Sequence, residues 1–311
     1  MSAIVTKNLS KIYREVGKAS VKSLDGLDLT IEENEVYGFL GRNGAGKTTT
    51  IKILCSLLKP TSGEAFVFGE SVRTPQARQH IGYLPEQPYF YEYLTPKETL
   101  DFYGKLRNLS PAERNHQWDK LSDLLDLRDI ADQRIKGFSK GMRQRIGFAV
   151  ALMGDPPLLI LDEPMSGLDP IGRRMIRDLI MRCRDEKKTL FFSSHVMSDV
   201  EQICDRVSIL VKGKLTHRGR IDQLLESQTK AVEIITAGLS DETRRTLRER
   251  ATDYRALDEQ DIFVLPDEAA ANEAVQQLQQ QGGRIVQFTP IRESLEDFFL
   301  RQQTPTNEEA R

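Results

Sequence analysis

The run GRNGAGKT, from Gly41 to Thr48, fits the spacing G-x-x-x-x-G-K-[ST]. Glycines at that spacing let successive backbone N–H groups turn inward around phosphates, at the positive end of the helix that follows. Lys47 is then placed to reach β- and γ-phosphates, and the Thr48 hydroxyl to hold Mg²⁺. Further on, LLILDEP from Leu158 sets two carboxylates, Asp162 and Glu163, at the end of an apolar run. Asp162 suits Mg²⁺, directly or through water. Glu163, one residue on, suits a general base or water-polariser beside a γ-phosphate. Alone, such a run is only a strand capped by solvated charge; behind a phosphate loop it reads as the hydrolytic half of the same site. A third element, FSKGMRQRIGFAVALM, places Ser139 as an N-cap, with Met142, Ile146, Ala149, Val150 and Met153 along one helical stripe. The stripe is ordinary amphipathic packing. The Ser and Gly at the start, followed by Arg143 and Arg145, suit a phosphate.

These residues need a sheet to bring them together. VYGFL (Val36), LLILDE (Leu158) and TLFFSSH (Thr189) are short, continuously apolar runs, the pattern of strands buried on both faces. Helical stretches separate them, including one between Pro170 and Lys188, so a mostly parallel α/β sheet is expected. Polar residues at the strand ends, Gly41, Asp162 and His195, would then share the edge where open α/β sheets bind ligands. The first 30 residues read as strands, Pro60 to Pro88 as a hairpin region, and Pro96 to Asp132 as mostly helical. VSILV–KG–KLTHRG from Val207 reads as a closing hairpin. Past about Gln228 the pattern restarts: strand (Ala231), helix N-capped by Ser240, strand (Asp261), helix from Asp267 ended by glycines, strand (Arg284), helix (RESLEDFFLRQQ). That order points to a small split βαβ, ferredoxin-like α+β unit. The expected boundaries are 1–227, 228–303 and a disordered tail, 304–311.

Composition bounds the rest. The chain has 311 residues, 39% hydrophobic and 29% charged, an ordinary globular balance with room for about two domains. The formal charge of −2 conceals a change of sign: 34 basic and 28 acidic residues precede Ile221, and 10 basic and 18 acidic follow from it. Neither part resembles a nucleic-acid arm. Cys55, Cys183 and Cys204 are odd in number and lack metal-ligand spacing, so neither a disulfide framework nor a zinc site is expected. No secretory leader is visible, and no apolar run reaches the ~20 residues of a membrane span. A cytoplasmic protein is expected, with any membrane role exerted through a partner.

Tyr13, GRNGAGKT, Gln87 in YLPEQP, FSKGM, LLILDEP, SGLDP (Ser166 to Pro170) and His195 in SSH occur in this order. Together, over about residues 3–225, they closely resemble the ATP-binding cassette (ABC) ATPases, the nucleotide-binding subunits of ABC transporters. The resemblance implies a P-loop NTPase core sheet with an antiparallel β subdomain and a helical subdomain at about 90–155. It implies ATP contacts from Tyr13, stacked on adenine, and from Gly41, Asn43, Gly44, Ala45, Gly46, Lys47, Thr48 and Thr49. Thr48, Gln87 and Asp162 are implied at Mg²⁺, with Glu163, His195, Lys47 and Gln87 serving catalysis. Ser139 and Gly141 would complete the active site of an opposite cassette, and Asp169 lies in the loop that crosses the dimer. The signature departs from the usual LSGGQ: Phe138, Lys140 and Met142 replace Leu, Gly and Gln, while Ser139 and Gly141 are kept. QRIKGFSKGMRQR and RESLEDFFL further resemble the subfamily that serves ABC-2-type membrane subunits, which mostly export. The implied partners are a second cassette, identical or paired, and an integral membrane permease at the inner face of the cell membrane.

Two other readings fit less well. Soluble ABC ATPases of translation carry two cassettes and those of DNA repair a long coiled coil, whereas this chain has one P-loop and no heptad run between Thr48 and Ser139. A regulatory switch or P-loop GTPase would need a guanine-reading NKxD motif, and none occurs.

Overall fold

The computed structural model describes residues 1–14, 19–225, 229–281, 283–292 and 294–298. The expected tail from 304 and the end of the last helix lie outside the described residues. The chain divides into two compact units, Met1–Ile221 and Asp222–Arg311.

In the first unit, strands β1 (Ser2–Tyr13), β2 (Val21–Glu32), β4 (Ser62–Val67) and β5 (Glu70–Ser71) form an antiparallel sheet in the order β2-β1-β4-β5. A six-stranded sheet carries β3 (Val36–Leu40), β6 (Ile81–Leu84), β7 (Leu158–Asp162), β8 (Thr189–Ser194), β9 (Arg206–Val211) and β10 (Lys214–Arg220), ordered β10-β9-β3-β8-β7-β6. Every neighbouring pair in it is parallel except β9–β10. All residues of β3, β7 and β8 are buried, which is why these runs lack polar alternation. Helices α1 (Lys47–Leu54), α2 (Pro75–Gln79), α3 (Pro96–Leu106), α4 (Pro111–Leu124), α5 (Lys140–Leu152), α6 (Pro170–Asp185) and α7 (Met197–Ile203) connect the strands. Helices α3 and α4 each begin with a capping box, Thr95 with Glu98 and Ser110 with Glu113, and a Pro in the first turn.

The expected hairpin over Pro60–Pro88 is only half right. The hairpin ends at Ser71, and the chain then forms α2 and enters the parallel sheet as its edge strand β6. Gly82 in that strand permits this approach, since a Cβ there would collide with the Ala151 carbonyl and the Leu159 side chain.

In the second unit, β11 (Thr229–Ala237), α9 (Asp241–Arg250), β12 (Asp253–Leu257), β13 (Gln260–Leu265), α10 (Glu268–Gln280) and β14 (Arg284–Arg292) follow a short helix α8 (Ile221–Leu224). The sheet order β12-β13-β11-β14, antiparallel throughout, is the ferredoxin-like arrangement. Val232, Ile234, Leu247, Phe263, Leu265, Ala271, Ala274 and Leu278 form its core. Strand β12 is not foreseen by the sequence pattern. It is an edge strand whose residues are exposed apart from half-buried Tyr254.

Candidate functional site

The Gly41–Thr48 loop leaves the carboxyl end of β3 and enters α1. Gly44 and Gly46 adopt φ of +81° and +113°, the left-handed region open chiefly to glycine. A Cβ at Gly46 would stand 2.6 Å from the Ser23 carbonyl, and one at Gly41 2.7 Å from the Leu210 carbonyl. The loop is thereby wedged against β2 and β9, with its concave side facing a cavity of about 520 Å³. Among the described residues, the N–H groups of Gly44, Gly46, Lys47 and Thr48 donate to no backbone carbonyl. That row of uncommitted donors at a helix start has the form of a phosphate cradle. Asn43, Ala45 and Thr49 also line the cavity.

Strands β7 and β8 deliver the acidic side. Asp162 is 1% exposed; its Oδ1 accepts from Ser193 Oγ at 2.7 Å and from Thr48 Oγ1 at 3.3 Å. Burial pushes the Asp162 carboxyl above the ordinary carboxylate value, against the two hydroxyl bonds that favour its charged form. Glu163 follows at φ +49°, an outlier for a non-glycine residue and a local strain of the kind found where chemistry is fixed in place. Its N–H donates to Ser193 Oγ at 2.9 Å. Its Oε2 pairs with His195 Nδ1 at 2.8 Å, and its Oε1 lies 3.1 Å from Lys47 Nζ. Oε1 is in ion-pair range of the ammonium but makes no hydrogen bond. Lys47 Nζ itself donates back to the Gly41 carbonyl at 2.6 Å. An acceptor buried without a hydrogen bond is rare and marks a position set aside for a ligand or water.

Lys47, Thr48, Glu163 and His195 therefore share one cavity, with Asp162 bonded to its wall. Thr48 and Asp162 present only oxygen donors, the set that Mg²⁺ prefers. The remaining expected residues stand elsewhere. Tyr13 is 41% exposed, its hydroxyl 3.3 Å from Thr49 Oγ1 and Lys11 Nζ over its ring. Gln87 is exposed just beyond β6, next to Glu86, which does line the cavity. Ser139 caps α5 by accepting from the Met142 N–H at 3.2 Å, and Asp169 caps α6 by accepting from the Gly172 N–H at 2.7 Å. Neither lines the cavity, nor does Gly141. They adjoin each other: a Cβ at Gly141 would stand 3.9 Å from Leu168, and Lys140 folds over Gly167. Ser193 and Ser166 are functional candidates that motif spacing alone does not single out. Ser193, beside His195 in the polar end of β8, was the legible one.

A Gly-rich phosphate cradle at β3–α1, with carboxylates at the ends of a parallel sheet, defines a P-loop nucleoside triphosphatase. The family model described as ABC transporter matches residues 24–166. An uncharacterized ABC transporter ATP-binding protein of Synechocystis sp. is 36% identical over 97% of this chain and 84% of its own. The bacitracin transport ATP-binding protein BcrA of Bacillus licheniformis is 36% identical over 97% of both. Among solved structures, the dimeric post-hydrolysis state of the ATP-binding cassette MJ0796 bound to ADP and Pi superposes with a TM-score of 0.65. It covers 70% of this chain and 98% of its own, at 24% identity. The chain belongs to the ABC transporter ATP-binding proteins and is an ATPase. Among the described residues no helix is long and apolar enough to cross a membrane.

Proposed function

We propose that two cassettes close head to tail over two Mg·ATP and that their hydrolysis drives export through a separate ABC-2-type membrane subunit. The observation that carries the catalytic part is the convergence of Lys47, Thr48, Glu163 and His195 on one cavity, with Asp162 bonded to Thr48 in its wall. The free N–H groups of the Gly41–Thr48 loop bind the triphosphate, and Lys47 moves from the Gly41 carbonyl and Glu163 to the γ-phosphate. Thr48 and Asp162 would hold Mg²⁺, which when bound neutralises charge on the β- and γ-phosphates. Glu163 Oε1 accepts a proton from the attacking water as the γ-phosphorus leaves the ADP oxygen. His195 keeps the carboxylate oriented through Oε2, and with Lys47 steadies the developing charge. Tyr13 stacks on adenine.

The dimer follows from a surplus. One triphosphate is already enclosed by the Gly41–Thr48 loop, yet the start of α5, with Ser139 and Gly141, and the Asp169 loop form a second phosphate-ready patch that does not line that cavity. They serve the partner's nucleotide, and the dimeric form of the similarly folded MJ0796 cassette is in keeping with this. Losing the usual signature Gln to Met142 removes one polar contact, while the Ser hydroxyl and Gly backbone remain. Gln87 passes motion to the membrane subunit, and the protein works in the cytoplasm on the inner face of the membrane. The kinship to a bacitracin transport ATP-binding protein supports a role in transport. The acidic accessory domain expected over 228–303 falls within the second unit. Ser139→Arg tests the dimer: each cassette should still bind ATP but turnover should vanish, and intact turnover would refute the arrangement. Co-purification with a permease tests the membrane assignment.

A further inference from the structure

The peptide groups around Glu163 are clamped one by one. The Glu163 N–H is held by Ser193 Oγ and the Glu163 carbonyl by the Ser166 N–H at 3.0 Å. Pro164 has no N–H, and its carbonyl accepts from Gln144 Nε2 at 2.9 Å. Gln144 is 2% exposed and its Oε1 makes no hydrogen bond, so the bond to Pro164 is the one polar interaction its amide makes among the described residues. A buried amide kept for a single backbone contact is costly unless that contact fixes something. Here it fixes the exit of a residue held at φ +49°.

Gln144 also sits on α5, five residues from the Ser139 cap and so about 7.5 Å along the helix axis from it. We propose that Gln144 is a positioning residue that couples the two nucleotides of the dimer: it ties the α5 start, which faces the partner's ATP, to Glu163, which faces the chain's own. This rests on the head-to-tail dimer above. When the partner's phosphate seats on Ser139 and Gly141, a displacement of α5 is carried by the Gln144 amide to the Pro164 carbonyl. The Glu163 carboxylate is thereby set in or out of line with its water. Gln144 itself does not line the cavity.

The test compares Gln144→Met, which keeps length and apolar volume but loses the donor, with the unaltered full chain in steady-state hydrolysis and ATP binding. The expected result is a kcat lower by about tenfold with an unchanged KM for ATP, and a Hill coefficient falling from near 2 to about 1. Unchanged kcat and Hill coefficient would overturn the proposal, and so would a lower kcat with cooperativity intact. In parallel, Glu163→Gln alone and combined with Gln144→Met are tested for an ATP-bound dimer. Failure of the single variant to dimerise removes the arrangement on which the coupling rests. Dimers in both variants show that the arrangement stands, and the kinetics then decide the role of Gln144 by themselves. Should Gln144→Met not fold, Gln144→Glu gives the same reading through pH. Its protonated carboxyl can donate to Pro164 and its carboxylate cannot, so its kcat relative to the unaltered chain should rise as pH falls. A relative kcat independent of pH would count against it.

Discussion

Replacing Glu163 by Gln should do two opposite things: slow turnover and tighten ATP binding. The carboxylate and Lys47 Nζ are 3.1 Å apart, with side chains 9% and 6% exposed. At that separation and an effective dielectric of about 20, their gross attraction is about 5 kcal/mol. In the proposed mechanism ATP must draw Lys47 out of this pair to the γ-phosphate, and must also bring its own negative charge beside Glu163. Glutamine keeps the volume and a carbonyl acceptor but removes both obstacles. Most of the gross term is returned by hydration and by the Lys47 bond to the Gly41 carbonyl, which leaves about 1–3 kcal/mol, or ATP binding tighter by roughly 5- to 150-fold. Loss of the general base should lower kcat by about 10²–10⁴. Binding is best measured by equilibrium titration with a fluorescent ATP analogue in a Ser139→Arg background. Dimer closure then cannot add to the apparent affinity, and phosphate release gives kcat in the single variant. An ATP affinity that is unchanged or weaker in Glu163→Gln would refute the competition between Glu163 and nucleotide for Lys47.

Asp162→Asn should raise the melting temperature of the nucleotide-free protein at pH 7 while abolishing Mg²⁺-dependent hydrolysis. Burial raises the Asp162 value in the fold, so the stability linked to this group is greatest below its ordinary 3.8 and lost as pH rises through the raised value; a lower melting temperature for the Asn variant would contradict this. Gly46→Ala forces a side chain into φ +113° and within 2.6 Å of the Ser23 carbonyl. It should cost about 2–3 kcal/mol in denaturant unfolding and remove ATP binding. Ser193→Ala deletes the donor to Asp162 and the acceptor of the Glu163 N–H together. A destabilisation of about 1–3 kcal/mol is expected, with kcat reduced more than ATP affinity.

What sequence could and could not show follows from where the information sits. β3, β7 and β8 were legible because each is buried on both faces, and each leads directly into site residues: the loop from Gly41, Asp162 with Glu163, and His195. β6 was not: IGYL is four residues with a glycine inside, and its parallel pairing with β7, a long-range contact, is what makes it a strand. β12 escaped for the opposite reason, since an exposed edge strand carries no apolar alternation. Lys47, Thr48, Asp162 and Glu163 were named from motif spacing, but their mutual bonds could not be. That Ser193 holds Asp162 and Glu163 at once is a product of β7–β8 register, in which Asp162 lies opposite Ser193.

The backbone at Glu163 favours other residues than the one it carries. At φ +49° glycine and asparagine are at ease and glutamate is not. Folding and hydrolysis thus select different side chains at one position. A single change to Asn would relax the chain, leave the phosphate cradle intact and silence the chemistry. In copies of such a cassette the lost ion pair with Lys47 and the gain in backbone ease would offset one another, so that folding and abundance change little. Wherever two unequal chains pair, purifying selection would then have only catalysis with which to keep both halves active.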